Sequence, residues 1–145
     1  MISLLDINVL IAFAVRDHPH NAAATRFLKE AMGAGWATCP LTENGFVRIL
    51  GKPGFPGSPG STGETRKLLA RYCAAPGHQF WPDDISFADT RRFPTLPDTS
   101  GLTDLYLLAL AIKHDGRLVT FDRRIDPSVI TGGPEAYYVI QSSQD

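Results

Sequence analysis

Four carboxylates, Asp6, Glu43, Asp104 and Asp122, stand where the local pattern of the chain changes from apolar to polar. Asp6 closes the apolar run Ile2 to Leu5 and Asp122 closes the run Leu118 to Phe121, so each reads as the residue just past a buried strand. Glu43 and Asp104 each fall in the first turn of an expected helix. In open α/β sheets, ligands and catalytic groups gather at the carboxyl ends of the strands, the edge on which the following helices begin. All four acids are therefore expected to converge. Carboxylates crowded into a poorly solvated cleft resist ionising together, and a bound divalent cation relieves that repulsion. Mg²⁺ or Mn²⁺ fits, because these hard cations take oxygen ligands and bind substrate phosphates. The implied chemistry is phosphodiester hydrolysis by an activated water, with no covalent intermediate. Asp6 and Asp104 are assigned as direct ligands, Asp122 as a ligand through water or to a second ion, and Glu43 as the group that orients the attacking water. Taken singly, each acid is explained by capping or by a preference for helix N-termini. Only their joint placement points to a site.

The elements that must position these acids follow from periodicity. After Asn8 the run Val9 to Phe13 reads either as a continued strand or, given the polar Asp6-Ile7-Asn8 break, as the favoured short helix, and a surface helix is expected from His20 to Met32 with Ala24, Phe27, Leu28 and Ala31 on one stripe. Trp36 to Cys39 reads as a strand broken by Pro40, after which Thr42 is expected to cap a helix carrying Phe46, Val47, Ile49 and Leu50. Gly51 to Gly63, dense in Gly and Pro, predicts a surface loop that is mobile or clamped by a partner. Helical spacing returns from Glu64 to Ala75, and Gln79 to Trp81 is read as a brief strand. Phe93 to Gly101 is read as loop. The longest apolar helix spans Leu102 to His114, followed by the strand ending at Asp122 and a last one at Tyr137 to Ile140. Strands alternating with helices predict an α/β sandwich around a mainly parallel sheet.

The chain has 145 residues, 43% hydrophobic and 20% charged, the mix of an ordinary globular protein and the size of a single domain over residues 1–145. A formal charge of -1 provides no global positive field toward nucleic acid, so any such binding must come from local patches. Cys39 and Cys73 sit in apolar stretches without metal-ligand or redox spacing and are read as buried thiols in a reducing compartment. No apolar run approaches the roughly 18 residues of a membrane span, and no secretory leader fits the N-terminus, so a cytoplasmic protein is expected.

Leu4-Leu5-Asp6-Ile7-Asn8-Val9-Leu10-Ile11 closely resembles the opening motif of PIN-domain nucleases. Cys39-Pro40-Leu41-Thr42-Glu43-Asn44-Gly45-Phe46-Val47-Arg48 resembles the segment that carries the family's glutamate in bacterial VapC toxins. Leu102-Thr103-Asp104-Leu105-Tyr106, with Leu118-Val119-Thr120-Phe121-Asp122, resembles the third and fourth acidic motifs in order and spacing. The resemblance spans nearly the whole chain. It implies a PIN-like α/β/α sandwich and a Mg²⁺-dependent endoribonuclease acting on structured cellular RNA, dimeric and neutralised by a cognate VapB antitoxin of a type II toxin–antitoxin system. In one departure, Leu105 follows Asp104 where many relatives have alanine. Contacts of the Gly51 to Gly63 stretch cannot be carried over from relatives.

Asn8 resembles the motif asparagine and is expected either to hydrogen-bond a ligand carboxylate or to cap a helix. Thr120 is left outside the expected site, since threonine is at home in a strand. Arg123 and Arg124 could hold an RNA phosphate, and Arg66, Lys67 and Arg71 could track RNA, although solvated charges are the plainer reading. His18 and His20 flank Pro19 in a turn with no further zinc ligands nearby. Trp36 and Trp81 are read as core. Two rivals stand beside the nuclease: a catalytically silent PIN-like module that binds RNA or protein, and a phosphatase working through an aspartyl-phosphate at Asp6, against which Asn8 stands in place of a second aspartate.

Overall fold

The computed structural model describes residues 1–142. Short strands β1 (Ser3–Leu5), β2 (Trp36–Thr38), β3 (His78–Phe80), β4 (Arg117–Thr120) and β5 (Tyr137–Val139) form one sheet in the order β3-β2-β1-β4-β5. Every pairing is parallel. The helices between them are α1 (Ile7–Ala14), α2 (Asn21–Ala31), α3 (Pro40–Leu50), α4 (Thr62–Cys73), α5 (Leu102–Lys113) and the one-turn α6 (Gly133–Ala136). The expected α/β/α sandwich is present, with a sheet that is wholly parallel.

Strand alternation sorts the core into two layers. Leu5, Trp36 and Val119 pack with Val9, Phe27, Phe46 and Leu69 from α1 to α4, while Leu4, Ala37 and Leu118 pack under α5. Residues Leu105 to Ala111 of α5 are all buried, so this helix is enclosed on every side. Leu105 is 1% exposed and fills the layer beneath the sheet. Trp36 and Trp81 are core residues as expected, 5% and 4% exposed.

Several boundaries differ from the sequence expectation, each for a local reason. Cys39, not Thr42, is the N-cap of α3; Pro40 occupies the first turn, where its missing N–H costs nothing. Thr42 sits inside that turn, accepting from the Cys39 amide at 3.0 Å. Helix α4 begins at Thr62, because Ser61 accepts from the Glu64 amide at 3.1 Å and caps it. Within the Gly- and Pro-rich loop, Phe55 packs on the α1–α4 layer and the Phe55 amide donates to the Lys52 carbonyl at 3.0 Å, so the chain itself anchors this segment. The turn Gly132 into α6, with φ 80 at Gly132, was not foreseen. Among the described residues, no helix is long and apolar enough to cross a membrane.

The first turn of α1 is set by its approach to α3. A Cβ on Gly45 would overlap the Ile7 side chain, lying 2.8 Å from its Cγ1. Gly45→Ala should therefore destabilise the fold by about 1–3 kcal/mol in urea unfolding. Combined with Ile7→Ala, it should cost less than the sum of the two single changes.

Candidate active site

The chain order runs from β1 outward to β2 and β3, then returns to the other side of β1 with β4 and β5. The reversal places the crevice of the sheet between the C-terminal ends of β1 and β4, where open α/β sheets take their ligands. Asp6 follows β1 and Asp122 lies just past β4. The Asp6 amide continues the ladder, donating to the Val119 carbonyl at 2.9 Å.

Asp6 is 5% exposed and Thr120 1%. The Thr120 hydroxyl donates to Asp6 Oδ2 at 2.8 Å and accepts from Asn8 Nδ2 at 3.1 Å and from the Asp122 amide at 3.0 Å. All of its hydrogen-bonding capacity is used. Asn8 Oδ1 also accepts from the Phe121 amide at 3.3 Å. Asn8 thus supports Asp6 through Thr120 and not by a direct bond. Thr120, set aside on sequence grounds, is the side chain that ties Asp6, Asn8 and Asp122 together. Its signal was a threonine at the strand position opposite an acid, visible only once the β1–β4 register is known.

Asp104 reaches this crevice from the first turn of α5. Burial, together with the nearby charges of Asp6 and Asp122, pushes its pKa up to about 7. Burial likewise raises Asp6, against the hydrogen bonds from Thr120 and from the Ile7 amide, which lower it. Asp122 moves the other way, held down chiefly by Arg124, whose Nε and NH2 groups grip both carboxylate oxygens at 2.6 to 3.0 Å. The Tyr137 hydroxyl donates to the Asp122 carbonyl, and burial plus the three aspartates push it up to about 12. Arg123 donates to Gln141 Oε1 at 3.2 Å. Three carboxylates that cannot all ionise comfortably, offering only oxygen donors, suit a hard divalent cation.

Glu43 is placed differently. Its Oε2 accepts from the Thr38 hydroxyl at 2.6 Å and from the Cys73 thiol at 3.8 Å. Thr38 Oγ1 lies 2.8 Å from His78 Nε2. Thr38 shares the strand parity of Trp36, so this group belongs to the α1–α4 layer, whereas Asp104 enters from the α5 layer. The structure brings Asp6, Asp104 and Asp122 together and turns the Glu43 carboxylate toward Thr38. Cys73 is also not the buried thiol expected, being only half-buried beside Glu43, while Cys39 is fully buried and its thiol pushed up to about 11. Glu43 lines a groove between α3 and α4 together with Asn44, Arg48 and Arg66. Lys67 is exposed and paired with Glu64 at 3.0 Å. His18 and His20 form the expected turn, the His20 amide donating to His18 Nδ1 at 3.0 Å, and His20 stacks on Phe121 with ring centroids 4.5 Å apart.

Residues 3–127 match the model of the PIN domain. The chain belongs to the PIN-domain family. Among its relatives, Ribonuclease VapC44 of Mycobacterium tuberculosis is 40% identical over 139 residues, covering 94% of this chain and 97% of that protein. Ribonuclease VapC39 of the same organism is 37% identical over 134 residues, covering 91% and 96%. These matches place the chain in the VapC branch of the PIN family. The fold is shared with the crystal structure of VapBC2 from Rickettsia felis bound to a DNA fragment from their promoter, at a TM-score of 0.55 and 14% identity over 84% of this chain and 89% of that one.

Two tests follow from the PIN-family crevice as built here. Thr120→Val strands Asp6 Oδ2, Asn8 Nδ2 and the Asp122 amide, and should cost about 1–3 kcal/mol in chemical denaturation, whereas Thr120→Ser should stay near the parent. Asp104 is raised from 3.8 to about 7 on folding, so the folded chain holds its proton more tightly than the unfolded one. That contribution is full below the unfolded value and is lost as pH rises through about 7. In chelator, the melting temperature should fall between roughly pH 4 and roughly pH 7, and Asp104→Asn should flatten that fall.

Proposed function

We propose that this chain is a metal-dependent endoribonuclease, the toxin of a type II toxin–antitoxin pair, that cuts structured cellular RNA. The observation that carries this reading is the meeting of Asp6, Asp104 and Asp122 at the crevice between β1 and β4. The VapC ribonucleases among its relatives support it.

Asp6 and Asp104 would hold Mg²⁺, or Mn²⁺ in its place, with Asp122 reaching the same ion through water or holding a second one. A bound cation supplies Lewis acidity, neutralising charge on the phosphodiester and making water a better nucleophile. The chain's own residues do the positioning. Thr120 fixes Asp6, and Asn8 fixes Thr120, so the carboxylate presents one orientation to the cleft. Arg124 holds Asp122 ionised while most of its own guanidinium faces solvent, within reach of a substrate phosphate. Glu43 orients the attacking water once its carboxylate leaves Thr38. The RNA backbone follows the groove between α3 and α4, where Arg48 and Arg66 supply positive charge on a chain that has no excess of it overall.

By the same reading the chain is a single PIN unit that acts in the cytoplasm, forms a homodimer and is neutralised by a VapB-type antitoxin. VapBC2 from Rickettsia felis, which shares this fold, is an assembly of VapB and VapC type, and that is consistent with such a partner. Purified protein incubated with total RNA should give discrete cuts in Mg²⁺ and none in chelator. Asp6→Asn or Asp104→Asn should reduce the cleavage rate by about 100-fold or more, read by gel with end mapping. Metal-dependent cuts that persist unchanged in both variants would sink the assignment, and no cuts in any lane would favour the silent binding module. Light scattering at micromolar protein should give twice the chain mass; a monomer would remove the dimer from this reading.

A further inference from the structure

Outside the aspartate cleft, the densest grouping of metal-ligating side chains among the described residues is Glu43, Cys73 and His78. One ligand atom from each lies within 4.8 Å of the others. The three come from separate elements: the first turn of α3, the last residue of α4 and the first residue of β3. They meet because α3 and α4 pack side by side and α4 packs against β3. Each is half-buried, open enough for an ion to enter and closed enough to hold its side chain. Thr38 Oγ1 bridges two of them, 2.6 Å from Glu43 Oε2 and 2.8 Å from His78 Nε2. The Trp36 ring fixes the imidazole from the other side, edge-on at 4.7 Å between centroids.

We propose that Glu43, Cys73 and His78 form a binding site for a borderline-soft divalent transition metal of the Zn²⁺ class, separate from the oxygen-only aspartate cleft. The donor set decides the class of ion. A thiolate, an imidazole and one carboxylate match zinc, which takes three protein ligands and leaves a fourth position for solvent. Mg²⁺ and Ca²⁺ require oxygen donors and gain little from sulfur or nitrogen. Burial holds His78 toward its neutral, ligating form and keeps Cys73 a thiol until an ion arrives. Binding then replaces the S–H bond with a metal–sulfur bond and releases that proton to solvent, with no change of oxidation state.

The site has a consequence that rests on the function proposed above. An ion here fixes the Glu43 carboxylate on the Thr38 side of β2, away from the aspartates. Zinc would then inhibit hydrolysis without entering the catalytic cleft.

The test uses the full-length, metal-free protein titrated with Co²⁺ as a spectroscopic stand-in for Zn²⁺. One ion per chain is expected, with a thiolate-to-cobalt charge-transfer band in the near ultraviolet and tetrahedral d–d bands in the visible, both erased by Zn²⁺. Cys73→Ser should abolish the charge-transfer band, and His78→Gln should weaken binding at least about tenfold, each with an unchanged circular dichroism spectrum. Asp6→Asn should leave both bands intact, since that residue belongs to the other site. No thiolate band in the parent, or equal binding by the parent and both variants, would overturn the proposal. One equivalent of Zn²⁺ in excess Mg²⁺ should then slow RNA cleavage by the parent and spare Cys73→Ser. Loss of cleavage in every lane while the cobalt bands persist would count against the ribonuclease reading and leave the metal site standing.

Discussion

Asp6 stands at the end of β1, 5% exposed, and a carboxylate withdrawn that far from water is tolerated only when its oxygens are bonded and its charge is managed. The rest of the crevice can be understood as the answer to that demand. The Ile7 amide bonds one oxygen at 2.7 Å and the Thr120 hydroxyl the other at 2.8 Å. Asn8 and the Asp122 amide hold that hydroxyl in place, and Arg124 draws the negative charge of Asp122 outward. Asp104 responds by holding its proton, which is why its pKa rises to about 7 while that of Asp122 falls. The acids are therefore unequal before any cation arrives, although their side chains are chemically identical.

The other governing constraint is the parity of a strand. Leu5, Trp36 and Val119 face the layer of α1 to α4, and Leu4, Ala37 and Leu118 face α5. Thr120 and Asp6 continue on the α5 side, where Asp104 enters, and Thr38 continues on the opposite side, toward Glu43 in the first turn of α3. Four acids on one sheet edge are thereby divided three and one. The two groups offer different chemistry: oxygen alone in the aspartate cleft, and sulfur, nitrogen and oxygen around Glu43.

Close packing at one point sets the relation between these faces. Gly45 lets α3 approach Ile7, the residue immediately after Asp6, so the helix that carries Glu43 and the helix that Asp6 caps lean on each other. The loop after α3 is pinned by Phe55 and Ser61 instead of hanging free, which keeps α4 and with it Cys73 beside Glu43.

Local pattern was enough to determine the order of the elements and to single out four acids, of which the structure brings three together. Apolar runs ending on Asp6 and Asp122, helical stripes, and carboxylates in the first turns of α3 and α5 are all written within a few residues of one another, and they carried the sandwich and the family. Boundaries slipped where a cap competed, as at Cys39 and Ser61, because capping turns on one hydrogen bond that several nearby residues could make. What only the tertiary structure decided is which side chains meet. Thr120 and Asp6 are 114 residues apart, Glu43 and Cys73 30, and Thr38 and His78 40. Their pairing depends on strand register and on which face each helix covers, and a shift of one residue in register would send every one of those side chains to the other face.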